Sequence, residues 1–143
     1  MNAIPLGAKG SFSMIVAPEH LADRFKDPTL PPVFATPLMI LFMENAALNA
    51  IREYLGPDES ALGTVVNVRH LAATPVGQQV IAEAVVTGVE GRRIVFAVTA
   101  RDETQEIGSG IHERALVDLR RLTERLDAKR SQKAGHPQDS AGA

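Results

Sequence analysis

The stretch that decides the fold is Thr36–Leu55, "TPLMILFMENAALNAIREYL". Threonine followed by proline is a helix-start signal, with Thr36 read as the N-cap and Pro37 as the first helical residue. The "GPDE" that follows Leu55 stops the helix. At 100° per residue, Asn45, Asn49, Arg52 and Glu53 fall on one narrow polar stripe, and all else but Glu44 is apolar. A helix apolar over most of its circumference must be covered on most sides. This one is expected at the centre of the molecule.

Strand patterns surround it. Upstream, "KGSFSMIVAP" alternates Phe12, Met14 and Val16 with small or polar residues until Pro18 ends it. The stretch "EHLADRFKDPTLPP" is too broken by proline for a long helix and is read as one helical turn plus a loop, a candidate lid. Downstream, "GTVVNVRHLAAT", "QVIAEAVVTGV", "RRIVFAVTARD" and "IGSGIHERALVDL" read as four strands, with Glu90-Gly91 making a hairpin turn. Arg120–Arg130 reads as a charged helical or frayed extension, and residues 131–143 as a disordered tail. The expected domain is therefore residues 1–130. Strand, lid, long helix and a meander of strands predict an α+β hot-dog fold, an antiparallel sheet of about five strands wrapped around one central helix. A small sheet with an open edge usually pairs with a second copy, so a homodimer is expected.

Composition removes several function classes. The 143 residues suit one domain, and apolar residues make up 45%. A formal net charge of −2, with both signs interspersed, gives no polyanion-binding surface, so no nucleic-acid partner is expected. There is no cysteine, hence no disulfide, thiolate metal site or thiol nucleophile, which fits a reducing cytoplasm. The N-terminus lacks a secretory pattern, and the longest apolar run, Pro37–Met43, is far below the roughly 20 residues of a membrane span. A soluble cytoplasmic protein with no membrane partner is expected.

Three residues draw chemical interest. Glu44 has Ile40, Leu41, Ala47, Leu48 and Ile51 as its helical neighbours, so its carboxylate points into the apolar face. That placement costs several kcal/mol unless the group is paired or protonated. Either it serves a site, or it pairs with an arginine or reaches a gap at a dimer interface. His70 shares a strand face with Val66, Val68 and Ala72. It is either a satisfied core histidine or a base paired with Glu44 across the helix–sheet interface. Thr36 is explained by capping alone, yet it lies two turns before Glu44 on about the same side. Gly63 is a strand-start turn or a place of close backbone approach. "GSG" at 108–110 reads as a bulge rather than a phosphate loop. His20, His112 and His136 have no metal spacing, and no metal is expected.

At these residues the chain resembles the fluoroacetyl-CoA thioesterase-like branch of the hot-dog family. The resemblance is carried by "VFATPLMILFMENAAL", "LGTVVNVRHLAATPVG", "VEGRRIVFAVTARD" and "EIGSGIHERALVDL". It implies a catalytic set of Thr36, Glu44 and His70. It also implies Gly63 as the amide that meets the thioester carbonyl, Arg114 beside the acyl pocket, and Leu30 and Phe34 on the lid over the acyl group. Coenzyme A enters as part of the acyl-CoA substrate, and no separate cofactor is implied. Leu30 stands in "FKDPTLPPVF" where the fluoroacetyl-specific pattern has an aromatic. That departure implies a broader or different short acyl group. An enoyl-CoA hydratase would want an aspartate and histidine on one loop–helix segment, which this sequence lacks. A non-catalytic module holding acyl-CoA or a hydrophobic ligand is the other alternative.

Overall fold

A computed structural model describes residues 3–134. In chain order they form β1 (Lys9–Ile15), a lid with the single turn α1 (Ala22–Phe25), and the central helix α2 (Thr36–Ile51). Then follow β2 (Glu59–His70), β3 (Gln79–Glu90), β4 (Arg93–Arg101), β5 (Glu106–Asp118) and α3 (Leu119–Ala134). One antiparallel sheet has the order β1-β3-β4-β5-β2 and packs around α2. This is the α+β hot-dog arrangement expected from the sequence. One 3-10 turn, Arg52–Tyr54, follows α2, so the helix stops four residues before Leu55.

The alternation along the strands explains the core. Val80, Ala82, Ala84 and Val86 of β3, and Ile94, Phe96, Val98 and Ala100 of β4, are buried against α2. The helix answers with Met39, Phe42, Met43, Ala46, Ala47 and Ile51. Its alanines let β1 approach closely: a Cβ on Gly10 would lie 2.3 Å from both the Ala46 carbonyl oxygen and the Ala50 nitrogen. The hairpin β3–β4 turns at Gly91, whose φ of +58° favours glycine. The glycines of "GSG" lie within the ladder, and a Cβ on Gly108 would meet Met39 Sδ at 2.5 Å. Gly108 serves close packing under the helix and Gly110 close approach of β2, where a Cβ would meet the Asn67 carbonyl oxygen at 2.2 Å. The expected bulge falls one residue earlier, where Ala100 pairs Gly108 but Arg101 pairs Glu106.

Two features place the site. First, β2 is an edge strand with a register shift between Gly63 and Val65, so Thr64 is an extra residue. Gly63 thus lies inside β2, not at its start. Second, Asp102 ties the lid to the sheet. Its carboxylate accepts hydrogen bonds from Thr74 Oγ1, Thr104 Oγ1 and the amides of Thr104 and Gln105. Burial raises its pKa, but these four bonds outweigh that and hold it below the usual carboxylate value. The Thr74 carbonyl in turn accepts from the Phe34 amide, at the end of the lid. The charged extension is helical through Ala134, four residues past the expected boundary at 130. The rest of the expected tail, 135–143, lies outside the described residues.

Candidate active site

Thr36 does not cap α2. The N-cap is Ala35, without a side-chain cap bond, and Thr36 is the first helical residue. Its Oγ1 lies instead 2.7 Å from His70 Nδ1, at the far end of β2. Among the described residues the His70 Nε2 atom is buried with no hydrogen-bond partner. Burial pushes the His70 pKa below the ordinary imidazole value, so the ring is neutral near pH 7 and able to take a proton. A hydroxyl held against a neutral imidazole is the arrangement by which an alcohol is activated or a proton relayed. The pair opens into a cleft of about 430 Å³ that is also lined by Lys26, Leu30, Phe34 and Ala72. Phe34 is itself buried and packs on Phe42, with ring centroids 5.1 Å apart, so it is a fixed wall; Leu30 is partly exposed at the rim.

Glu44 is elsewhere. Helix α2 and strand β2 run in opposite directions, so Thr36 meets the end of β2 while Glu44, about 12 Å along the helix, meets its middle. A Cβ on Gly63 would lie 3.1 Å from Glu44 Oε2, 3.4 Å from His112 Cε1 and 3.7 Å from Arg114 Nη1. Gly63 pairs with Arg114 across the β2–β5 ladder. Glu44 is half-buried, and neither a hydrogen bond nor an ion pair holds its carboxylate among the described residues. Within one chain, then, the expected residues fall into two groups. Thr36, His70, Leu30 and Phe34 share the cleft. Glu44, Gly63 and Arg114 form a second cluster, and the expected Glu44–His70 contact is not made.

His112 joins the second cluster, and the sequence alone does not single it out. It is fully buried, stacked on Phe96 with centroids 5.8 Å apart, and hydrogen-bonded through both ring nitrogens. Counting back by two from Arg114 on β5 is the signal that finds it, because residues i and i−2 share a strand face. Among the described residues no group of three or more His, Cys, Asp or Glu side chains is placed to hold a metal. No helix among them is long and apolar enough to cross a membrane.

A curled antiparallel sheet around one helix is the hot-dog thioesterase fold, and here a hydroxyl–imidazole pair stands at the helix start and a carboxylate two turns on. Residues 16–120 match the family described as fluoroacetyl-CoA-specific thioesterase. A fluoroacetyl-CoA thioesterase from Streptantibioticus cattleyicolor is 44% identical over 124 residues, 82% of this chain and 86% of that protein. The structure of the fluoroacetyl-CoA thioesterase FlK superposes with a TM-score of 0.82 at 38% identity, covering 95% of this chain and 100% of that one. A Thermus thermophilus protein described as a thioesterase superfamily member superposes with a TM-score of 0.89 at 29% identity, covering 95% and 100%. The chain belongs to the fluoroacetyl-CoA-specific thioesterase family, and it is a thioester hydrolase.

Proposed function

We propose that the protein hydrolyses short acyl-CoA thioesters at a site shared between two copies of the chain, with Thr36 and His70 from one copy and Glu44, Gly63 and Arg114 from the other. The observation that carries this reading is the split of the expected residues into two clusters along one unpaired edge strand. That edge is apolar: Leu62, Val65 and Val66 are 44%, 40% and 43% exposed, and Ile111 on the neighbouring strand 47%. A long apolar strand edge is an aggregation template unless it is covered. A second copy pairing antiparallel across β2, with a two-fold axis near Val66 and Asn67, brings Gly63 of one copy close to the partner's His70. Two equivalent sites result.

In such a site, Glu44 attacks the thioester carbonyl to give a transient anhydride and the coenzyme A thiolate, which takes up the proton released when water opens the anhydride, or else Glu44 activates water directly. His70 acts as general base for the hydrolytic step, its proton handled through Thr36 Oγ1. The amide at Gly63 faces the developing oxyanion, and Arg114 adds a fixed positive charge beside it. Both routes start from a thioester and water and end in carboxylate and thiol. Leu30 at the rim of the cleft supports a short acyl group without restriction to fluoroacetyl. A variant of FlK has been solved in complex with acetyl-CoA, at 36% identity to this chain and a TM-score of 0.82. A cytoplasmic enzyme is the reading that a cysteine-free chain supports.

The test is thiol release from a panel of short acyl-CoAs by wild type, Glu44→Gln and His70→Ala, alone and refolded together. Each homodimer should be nearly inactive. Half of a random mixture is heterodimer with one intact site of two, so about a quarter of wild-type activity should return. If both variants keep near wild-type rates, the assignment of residues fails; if the mixture recovers nothing, the shared site fails.

A further inference from the structure

We propose that His112 is a positioning residue that aims the Arg114 guanidinium into the acyl site, a role that rests on the shared-site thioesterase reading. The hydrogen bonds fix the form of the ring. The Val65 carbonyl, 2.8 Å from Nδ1, can only accept, so Nδ1 carries the hydrogen. Arg114 can only donate, and its Nη1 lies 3.1 Å from Nε2, so Nε2 accepts. The ring is therefore neutral, with both nitrogens used.

Arg114 is held at three of its donors. Its Nη2 and Nε donate to the Ala61 carbonyl at 2.8 and 3.3 Å, and one Nη1 hydrogen goes to His112. Two anchors at different points of a planar fork fix its plane as well as its position. The remaining hydrogens on the two terminal nitrogens are left for whatever lies over Gly63, where Glu44 Oε2 and Arg114 Nη1 both approach. His112 is rigid in turn. Phe96 lies directly across the β4–β5 ladder and stacks on its ring at an interplanar angle of 23°. The Val65 carbonyl belongs to the residue just after the bulge, so one imidazole couples the Gly63–Val65 backbone to the guanidinium beside it. The charged groups nearest the ring are Arg114 and Glu113 on its own strand and Glu44 on α2. Burial is the main cause that keeps its pKa below the ordinary value, consistent with a ring that stays neutral as an acceptor.

A histidine that only filled space would be replaceable by any group of its shape. Asparagine keeps an N–H near the Nδ1 position and loses the acceptor for Arg114; glutamine supplies a carbonyl near Nε2 and keeps that acceptor. We expect His112→Asn to lower kcat/KM for acetyl-CoA about tenfold and to weaken its Kd, and His112→Gln to recover to within about threefold. In an Arg114→Met background the further loss from His112→Asn should vanish, since the group being aimed is gone. Nitrogen-15 NMR of the labelled wild-type protein should show the ring neutral and protonated at Nδ1. A His112→Asn loss that carries in full into the Arg114→Met background, or a ring protonated at Nε2, overturns the proposal. The ring signal decides it if the double variant is too slow to assay. Absence of hydrolysis by wild type would instead sink the thioesterase reading, and the tautomer and the acetyl-CoA Kd cycle would then decide the role of His112.

Discussion

Replacing Gly63 by alanine separates folding from catalysis. The glycine has no positive φ, so the backbone accepts a side chain without strain. The new methyl would sit 3.1 Å from Glu44 Oε2, which requires the carboxylate to retreat by a few tenths of an ångström. Glu44 is a flexible, half-buried side chain and can do so. Alanine also reduces the freedom of the unfolded chain, a gain of about 0.4–1 kcal/mol that offsets the crowding. Net stability should therefore change by less than about 1 kcal/mol, a shift of Tm by about 4 °C at most. Catalysis is another matter. The methyl occupies the space between the Gly63 backbone, Glu44 and Arg114 where the proposed mechanism puts the thioester carbonyl. Alanine keeps the backbone N–H, but a carbonyl pushed off it loses that bond, and loss of one oxyanion donor typically costs about 10²-fold in rate, or about 2.7 kcal/mol of barrier. Thermal melts and thiol-release kinetics on the same sample check both parts. Hydrolysis within threefold of wild type would refute the placement of the carbonyl, and a Tm drop above about 10 °C would refute the claim that Glu44 yields.

Other outcomes follow from the same geometry. Thr36→Ala should lower kcat by at least about 10²-fold with little loss of Tm, because the hydroxyl bonds His70 and caps nothing; Thr36→Ser should keep most activity. Gly10→Ala should cost about 3 kcal/mol in a denaturant titration, since its Cβ meets backbone atoms of α2 that can move only with the whole helix. Burial lowers the pKa of both His70 and His112 below 6.5, so the unfolded chain binds their protons more readily than the folded one. Stability from these two rings is present above about pH 6.5 and is lost as pH falls below it. His112→Phe, which keeps the stack on Phe96, should be less stable than wild type near neutrality but lose less Tm between about pH 7 and 5.5. Parallel slopes would show that His112 does not titrate on unfolding.

The elements are legible in the sequence wherever periodicity is strong. The apolar circumference of Thr36–Ile51 and the alternation of Ile94, Phe96, Val98 and Ala100 each have one structural solution. The start of the helix differs by one place from the sequence expectation, because a Thr-Pro pair looks alike at the N-cap and at the first helical turn. What distinguishes them is His70, 34 residues away. Glu44 is identifiable as a carboxylate on an apolar face, but its neighbours are not, since helical spacing says nothing about which point of a crossing strand lies beneath it. His112 escapes a search for metal spacing. Its real partners are a strand carbonyl and an arginine two residues on.

The extra residue at Thr64 settles a matter of parity. Gly63 and His70 are seven residues apart, an odd number, and in a regular strand they would face opposite sides of the sheet. One inserted residue reverses the count between them. Gly63 pairs with Arg114 and Val66 with His112, which puts Gly63, Val66, Val68 and His70 on one surface. Deleting Thr64 would leave every functional side chain present in the sequence and turn one end of the strand away from the other.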